Sequence, residues 1–163
     1  MQTALSATIR RVNLMLRHNN IEVAWVPRAQ VRPALQVYRD HVFAVKDIDE
    51  AINLADLINS VIRGETRMGV AYQVEPFEPL GCWFSDLQEE DEIRYATIFG
   101  LSGKSPNKWA SGIGKLLELW AKEENCYSYR WYGRLGWTKF AQDIKLLKSL
   151  NDREGLFEKV VGP

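Results

Sequence analysis

The sequence predicts an α/β protein (α+β, with a mixed sheet) whose helices cover both sheet faces, preceded by an N-terminal helix. Three observations lead there. The chain reads strand, helix, helix, three strands, helix, strand, helix, strand. Short connections between the three middle strands favour an antiparallel meander. A helical stretch joins the runs Ile93–Phe99 and Cys126–Tyr132, which requires a parallel pair with a right-handed crossover.

Residues 3–18 read as a helix, with Leu5, Ile9, Val12 and Leu16 in a stripe and Arg10, Arg11 and Arg17 off it. Asn19-Asn20 ends it, because Asn tolerates the left-handed conformation of a helix stop. Residues 1–20 are therefore expected to be a helical extension to a domain spanning 21–163. A solvated face accounts for the arginines more simply than a nucleic-acid or membrane contact. Ile21–Val26 is the first strand, closed by Pro27. Residues 28–44 form a helix with Val31, Ala34, Leu35, Tyr38 and Val42 inward. Asp47-Ile-Asp-Glu50 has capping-box spacing and opens a helix to Ile62, with Ile48, Ala51, Ile52, Ala55 and Ile58 inward and Gly64 as its stop.

Three strands follow: Gly69–Glu75, Gly81–Leu87 and, after the acidic turn Glu89–Glu92, Ile93–Phe99. A helix then runs to Glu124, burying Ile113, Leu116, Leu117 and Trp120 at i, i+3, i+4 and i+7. Cys126–Tyr132 is a strand with Tyr127, Tyr129 and Trp131 on one face. Residues 136–150 form a last helix with Trp137, Phe140, Ala141, Ile144 and Leu147 aligned, and Gly155–Val161 a last strand.

Composition bounds the function. With 163 residues the chain can build one domain with a proper core, and 46% apolar with 26% charged residues is ordinary for a globular protein. Zero formal net charge argues against a duplex DNA binder. Cys82 and Cys126 sit in apolar runs and read as reduced, buried thiols, although a disulfide is not excluded. His18 and His41 lack metal-ligand spacing, so no metal site is expected. No signal peptide and no bilayer-length apolar run are present, so a cytoplasmic setting is expected.

The chemically informative stretch is Pro106–Trp120. Gly112 and Gly114 stand at the mouth of a helix that follows a strand and a turn-forming patch, Gly100–Pro106. Glycines there would leave backbone N–H groups uncovered, and the positive end of the helix dipole favours a phosphate. Two glycines near a helix start are also common where nothing binds. Gly103-Lys104-Ser105 mimics the end of a nucleotide-binding P-loop, but Ile98 stands where that motif needs a glycine and Pro106 follows at once.

The order of elements resembles the GNAT fold of acetyl-CoA-dependent N-acetyltransferases. That family's acyl-CoA loop reads Arg or Gln, any two residues, Gly, any residue, then Gly or Ala; here Trp109, Gly112 and Gly114 occupy those places. Leu116-Leu117 and Ala121 resemble the family's helix, and Gly155-Leu156 falls near its C-terminal Gly-Phe pair. The segment Asn125–Trp137, with Gly133-Arg-Leu-Gly-Trp137, is similar to small GNAT-like proteins encoded by tailed bacteriophages. The resemblance covers roughly residues 21–161.

The resemblance implies acetyl-CoA as cofactor and an amine as acceptor. Lys108, Trp109, Ser111, Gly112, Ile113 and Gly114 would cradle the pyrophosphate. Ile98 and Leu101 would offer backbone groups to the acetyl carbonyl and pantetheine. Two departures stand out. Trp109 replaces the family's Arg or Gln, and its usual acid tyrosine would fall near Asn151. Glu92 and Tyr95 are the candidate catalytic substitutes, although each also reads as an ordinary surface or core residue.

A non-catalytic scaffold is the rival reading. A virion-associated or interaction protein, assembled with other subunits or as a homo-oligomer, could use Tyr127, Tyr129, Trp131 and Trp83 as anchors. Core packing explains the same aromatics.

Overall fold

A computed structural model describes residues 15–134 and 144–162. β1 (Met15–His18) and β2 (Ile21–Trp25) form an antiparallel hairpin. Asn19 and Asn20 turn it with φ of 49° and 65°, the consecutive left-handed pair that suits the strand twist. Residues 15–18, expected as the end of a helix, are thus strand: the Asn pair serves as a hairpin turn rather than a helix stop. Residues 3–14 of that expected helix lie outside the described residues.

A 3-10 turn (Arg28–Gln30) leads into α1 (Val31–Val37) and α2 (Arg39–Ile48). One helix was expected over 28–44. The chain breaks at Tyr38, with φ −99° and ψ 18°, and resumes one residue later. Pro33 is accommodated in the first turn of α1, where its missing N–H costs nothing. Of the expected inward residues, Val31, Ala34, Tyr38 and Val42 are buried and Leu35 is half-buried, and Val45 extends the stripe.

α3 is shorter than expected, Leu54–Arg63. The spacing Asp47-x-x-Glu50 does not open it. Asn53 caps it instead, its Oδ1 accepting from the Asp56 amide at 3.1 Å, and Gly64 ends it at φ 81°. The later start changes the buried face to Leu57 and Val61, leaving Ala51 and Ala55 exposed.

β3 (Arg67–Gln73), β4 (Glu78–Glu90) and β5 (Ile93–Gly103) follow, the latter two longer than their apolar runs. A 3-10 turn (Pro106–Lys108) precedes α4 (Ala110–Glu123). β6 (Ser128–Arg134), β7 (Ile144–Ser149) and β8 (Glu154–Val160) complete the chain. The strands hydrogen-bond in the order β1-β2-β3-β4-β5-β6-β8-β7. β3 is antiparallel to β2 and β4; β5 and β6 are parallel, with α4 in the connection, as the sequence pattern requires.

The expected last helix is replaced in part. Residues 144–149 are a strand antiparallel to β8, with a register shift between Leu146 and Lys148, so Ile144 and Leu147 do not line a helix face. Pairing with β8 outweighs local helical periodicity here. Residues 135–143 lie outside the described residues.

The chain divides into two compact units: Met1–Ser85 with Gly100–Leu116, and Asp86–Phe99 with Leu117–Pro163. In the first, β2, β3 and β4 carry unbroken buried runs, the pattern of strands covered on both faces. Trp25 meets Trp83 edge-on, ring centroids 5.6 Å apart. Gly69 is required beneath them, since a Cβ there would lie 2.1 Å from the Trp83 ring. In the second, Tyr129 stacks on Trp131 and Trp131 on Phe157, each pair at 5.6 Å. Leu117, Trp120, Ala121 and Cys126 are buried there too.

Candidate functional site

The start of α4 is built by the residues before it. Trp109 is 2% exposed, and its indole Nε1 donates to the Lys104 carbonyl at 2.9 Å. Its ring lies against Gly81 of β4, where a Cβ would come within 2.7 Å of it. At the place where the resembled family has Arg or Gln, Trp109 is a core anchor whose indole N–H is already engaged. Ile113 likewise turns its side chain into the core.

The bare amides are not where the glycines stand. The Gly112 N–H donates to the Trp109 carbonyl at 3.2 Å, and the Ile113 N–H reaches the same oxygen at 3.4 Å. The unengaged donors are the amides of Ala110 and Ser111, which give no hydrogen bond among the described residues. Gly112 has a packing reason instead: a Cβ there would lie 2.6 Å from Val23 Cγ2 on β2. The helix can sit low on its strand only without that carbon. Gly114 is half-buried one turn along.

Electrostatics at this end favour an anion. The first turn of α4 holds no acidic residue, while Lys108 and Lys115 are exposed on either side of Ala110-Ser111. Two bare amides, the dipole's positive end and two lysines form an anion-attracting surface. Gly103-Lys104-Ser105 does not add to it. Gly103 closes on Leu80, the Lys104 amide donates to the Leu80 carbonyl at 2.7 Å, and Lys104 Nζ pairs with Glu78 at 3.2 Å.

Strand β5 has its own geometry. Its parallel ladder with β6 runs from Tyr95↔Ser128 to Ile98↔Trp131. β5 continues to Gly103 and β6 to Arg134. Two residues past Ile98, Gly100 adopts φ 62°, a left-handed kink inside a strand. A Cβ there would stand 3.0 Å from Phe84 and Val45. Leu101 is half-buried, and Ser102 is buried with its hydroxyl donating to the His41 carbonyl at 2.7 Å.

The candidate catalytic pair separates. Glu92 stands exposed at the tip of the β4–β5 hairpin, where Asp91 and Glu92 turn the chain at φ 51° and 66°. Tyr95 is half-buried, with the Arg130 guanidinium 4.1 Å over its ring. Arg130 Nε donates to Glu158 Oε2 at 2.7 Å, and the Ser128 hydroxyl donates to the same oxygen at 2.8 Å. Sequence reading passed over this network. Its signal was available: Ser, Arg and Glu recur within otherwise apolar strands, and buried polar groups need partners.

Burial raises the Cys82 thiol to about 12, and Cys126 is raised also; both are free and buried. Tyr129 is pushed up to about 12 by burial and by the nearby Glu118. Trp83, offered above as a partner anchor, is wholly buried, and Tyr129 nearly so; Tyr127 is exposed. Among the described residues no group of three or more His, Cys, Asp or Glu is placed to hold a metal, and no helix is long and apolar enough to cross a membrane.

This architecture recurs in solved structures. FeeM, an N-acyl amino acid synthase from uncultured soil microbes, matches 86% of this chain and 91% of its own at a TM-score of 0.63 and 10% identity. An aminoglycoside 6′-acetyltransferase type Ii matches 86% of this chain and 97% of its own at 0.64 and 11%. FdhC, a nucleotide-linked sugar GNAT, matches 90% and 89% at 0.53 and 10%. The likeness shows the fold: this chain has the architecture of the GNAT acyltransferases. No family model matches the chain, and no curated protein matches its sequence.

Proposed function

We propose that this chain binds acyl-CoA at the start of α4 and transfers the acyl group to an amine. The observation that carries the reading is the pair of unengaged amides at Ala110 and Ser111, flanked by Lys108 and Lys115 with no carboxylate in that turn. The shared architecture is consistent with it. Acetyl-CoA is the donor to try first.

The chemistry is attack by a deprotonated amine on the thioester carbonyl, followed by collapse to an amide and a CoA thiolate that takes up a proton. It needs positioning, a donor for the oxyanion and a proton acceptor. Tyr95 and Glu92 are the candidates for proton handling. Tyr95 is the better held of the two, under Arg130, whereas Glu92 is an exposed hairpin tip.

The test is thermal melting with and without acetyl-CoA. A ligand bound by the native state alone raises stability by about 2.7 kcal/mol at a hundredfold excess over Kd, a shift of several degrees. Ser111→Glu is the discriminating variant. It places a carboxylate among the bare amides, which is favourable for the free helix and unfavourable for a pyrophosphate. We expect the variant to melt at or above the wild-type temperature and to lose the acetyl-CoA shift. Gly112→Glu is unsuitable, because its Cβ would strike Val23. No shift in the wild type at millimolar acetyl-CoA removes the proposal and leaves the non-enzymatic scaffold.

A further inference from the structure

β7 lies at one end of the strand order, so its far side presents backbone N–H and C=O groups with no strand beside them among the described residues. Five of its six residues are exposed. Leu146, Leu147 and, just past the strand, Leu150 are 45%, 42% and 46% exposed. A single leucine at the surface is ordinary. Three of the eight exposed large apolar side chains among the described residues, gathered within 146–150, form a patch that calls for a cover. β1, at the other end of the order, differs: its apolar residues Met15 and Leu16 are half-buried.

Charge narrows the occupant. Lys145 and Lys148 flank Leu146 and Leu147, are exposed, and make no ion pair among the described residues. Lys122 and Lys159 in the same unit both reach Glu118, at 3.2 and 3.3 Å. Glu158, opposite Lys145 in the ladder, is already held by Arg130 and Ser128. A second copy of this chain fits this edge badly. The antiparallel register that sets Leu146 against Leu147 also sets Lys145 against Lys148, and like charges directly opposite are destabilising. A strand bearing carboxylates meets the same lysines with the opposite sign.

We propose that the open edge of β7 is a docking site for an extended protein segment in which acidic and apolar residues alternate. The segment pairs its backbone with β7, covers Leu146, Leu147 and Leu150 with apolar side chains, and sets carboxylates beside Lys145 and Lys148. Backbone pairing supplies the affinity, and the lysines supply the selection. The site lies wholly in the second unit and uses no acyl-CoA, so it stands or falls apart from the reading above.

The probe is the capped hexapeptide Glu-Val-Glu-Val-Glu-Val, titrated into the full chain and followed by amide NMR. Its controls are the same peptide with Lys for every Glu, and the acidic peptide N-methylated at every residue, which cannot donate to a strand. We expect the acidic peptide to shift the amides of 144–150 and protect them from exchange. Both controls should bind about 10-fold more weakly or worse. The double variant Lys145→Glu with Lys148→Glu should reverse the preference and bind the Lys peptide better than the acidic one. Both side chains are exposed, so the variant should melt near the wild-type temperature.

Should the variant fold poorly, salt answers on the wild type alone: raising it should weaken the acidic peptide, because exposed charge pairs are screened. Three results overturn the proposal. One is an acidic peptide that leaves 144–150 unmoved at millimolar concentration. Another is equal binding of the acidic and Lys peptides, or binding insensitive to salt. The third is protection of the β7 amides that grows with protein concentration alone, which assigns the edge to a second copy.

Discussion

The two units of this chain solve burial differently. In Met1–Ser85 with Gly100–Leu116, strand after strand is buried on both faces, and glycines are placed where large rings or helices press on the backbone. In Asp86–Phe99 with Leu117–Pro163, the aromatic stack of Tyr129, Trp131 and Phe157 is the centre, and apolar residues spill outward. Among the described residues, Ile93, Leu119, Tyr127, Tyr132, Leu146, Leu147 and Leu150 are exposed in this unit, against Phe43 alone in the other. A strand buried twice tolerates no added atom. A strand buried once tolerates many. The contrast says where the chain should be fragile.

The largest effect is expected at Gly69. A Cβ added there would stand 2.1 Å from the Trp83 ring, and Trp83 is wholly buried, so nothing can yield without moving the core. Gly69→Ala should cost about 3 kcal/mol or more, at or above the upper end for overpacking, and lower the melting temperature by roughly 10 °C. Urea denaturation within about 1 kcal/mol of the wild type would show that this unit is looser than its packing implies.

A second experiment sets the units against each other through alkaline pH. Burial holds the Cys82 thiol at about 12 against an ordinary value of 9.0. The native state keeps that proton while the unfolded chain loses it, so the stability is present below pH 9 and is lost as pH rises toward 12. One such group steepens the fall by about 1.4 kcal/mol per pH unit inside that window. Tyr129 in the other unit is likewise raised to about 12, but its window opens only near 10, its ordinary value. Denaturation between pH 9 and 10 therefore weights the thiols over Tyr129 and Tyr38, whose hydroxyls burial also pushes up. Cys82→Ala should flatten the decline there by about 1 kcal/mol per unit, with Cys126 and the buried tyrosines, all raised, contributing to the slope that remains. An unchanged slope would mean that water reaches Cys82.

These differences mark how far the sequence could be read. Residues that bury one clear face were legible: Ile113, Leu116, Leu117 and Trp120 on α4, and Val31, Ala34, Tyr38 and Val42 on α1 and α2. The parallel β5–β6 pair followed from chain logic alone. Long-range choices were not legible. Asn19-Asn20 ends a helix or turns a hairpin equally well, and only the partner strand decides. Residues 144–149 have helical spacing, yet β8 recruits them as a strand. At the candidate site, Gly112 was noticed for the right position and the wrong cause. Its hydrogen is needed by Val23, and the free amides lie two and one residues earlier. Spacing shows where a glycine is; only packing shows which neighbour demands it.

The smallest effect is expected on β7, an edge strand of the sheet among the described residues. Leu147 sits at its register shift and is 42% exposed. A leucine so placed contributes little burial, and an edge strand carrying apolar residues invites pairing with another copy of the chain, which the exposed Lys145 and Lys148 already oppose. Leu147→Lys should therefore change stability by no more than about 0.5 kcal/mol while lowering light scattering at high protein concentration. Gly69→Ala adds one carbon and should cost about 3 kcal/mol; Leu147→Lys adds a charge and should pass almost unnoticed. A loss above about 1 kcal/mol at Leu147 would mean that the leucine is covered in solution, and the second unit would then be as fully packed as the first.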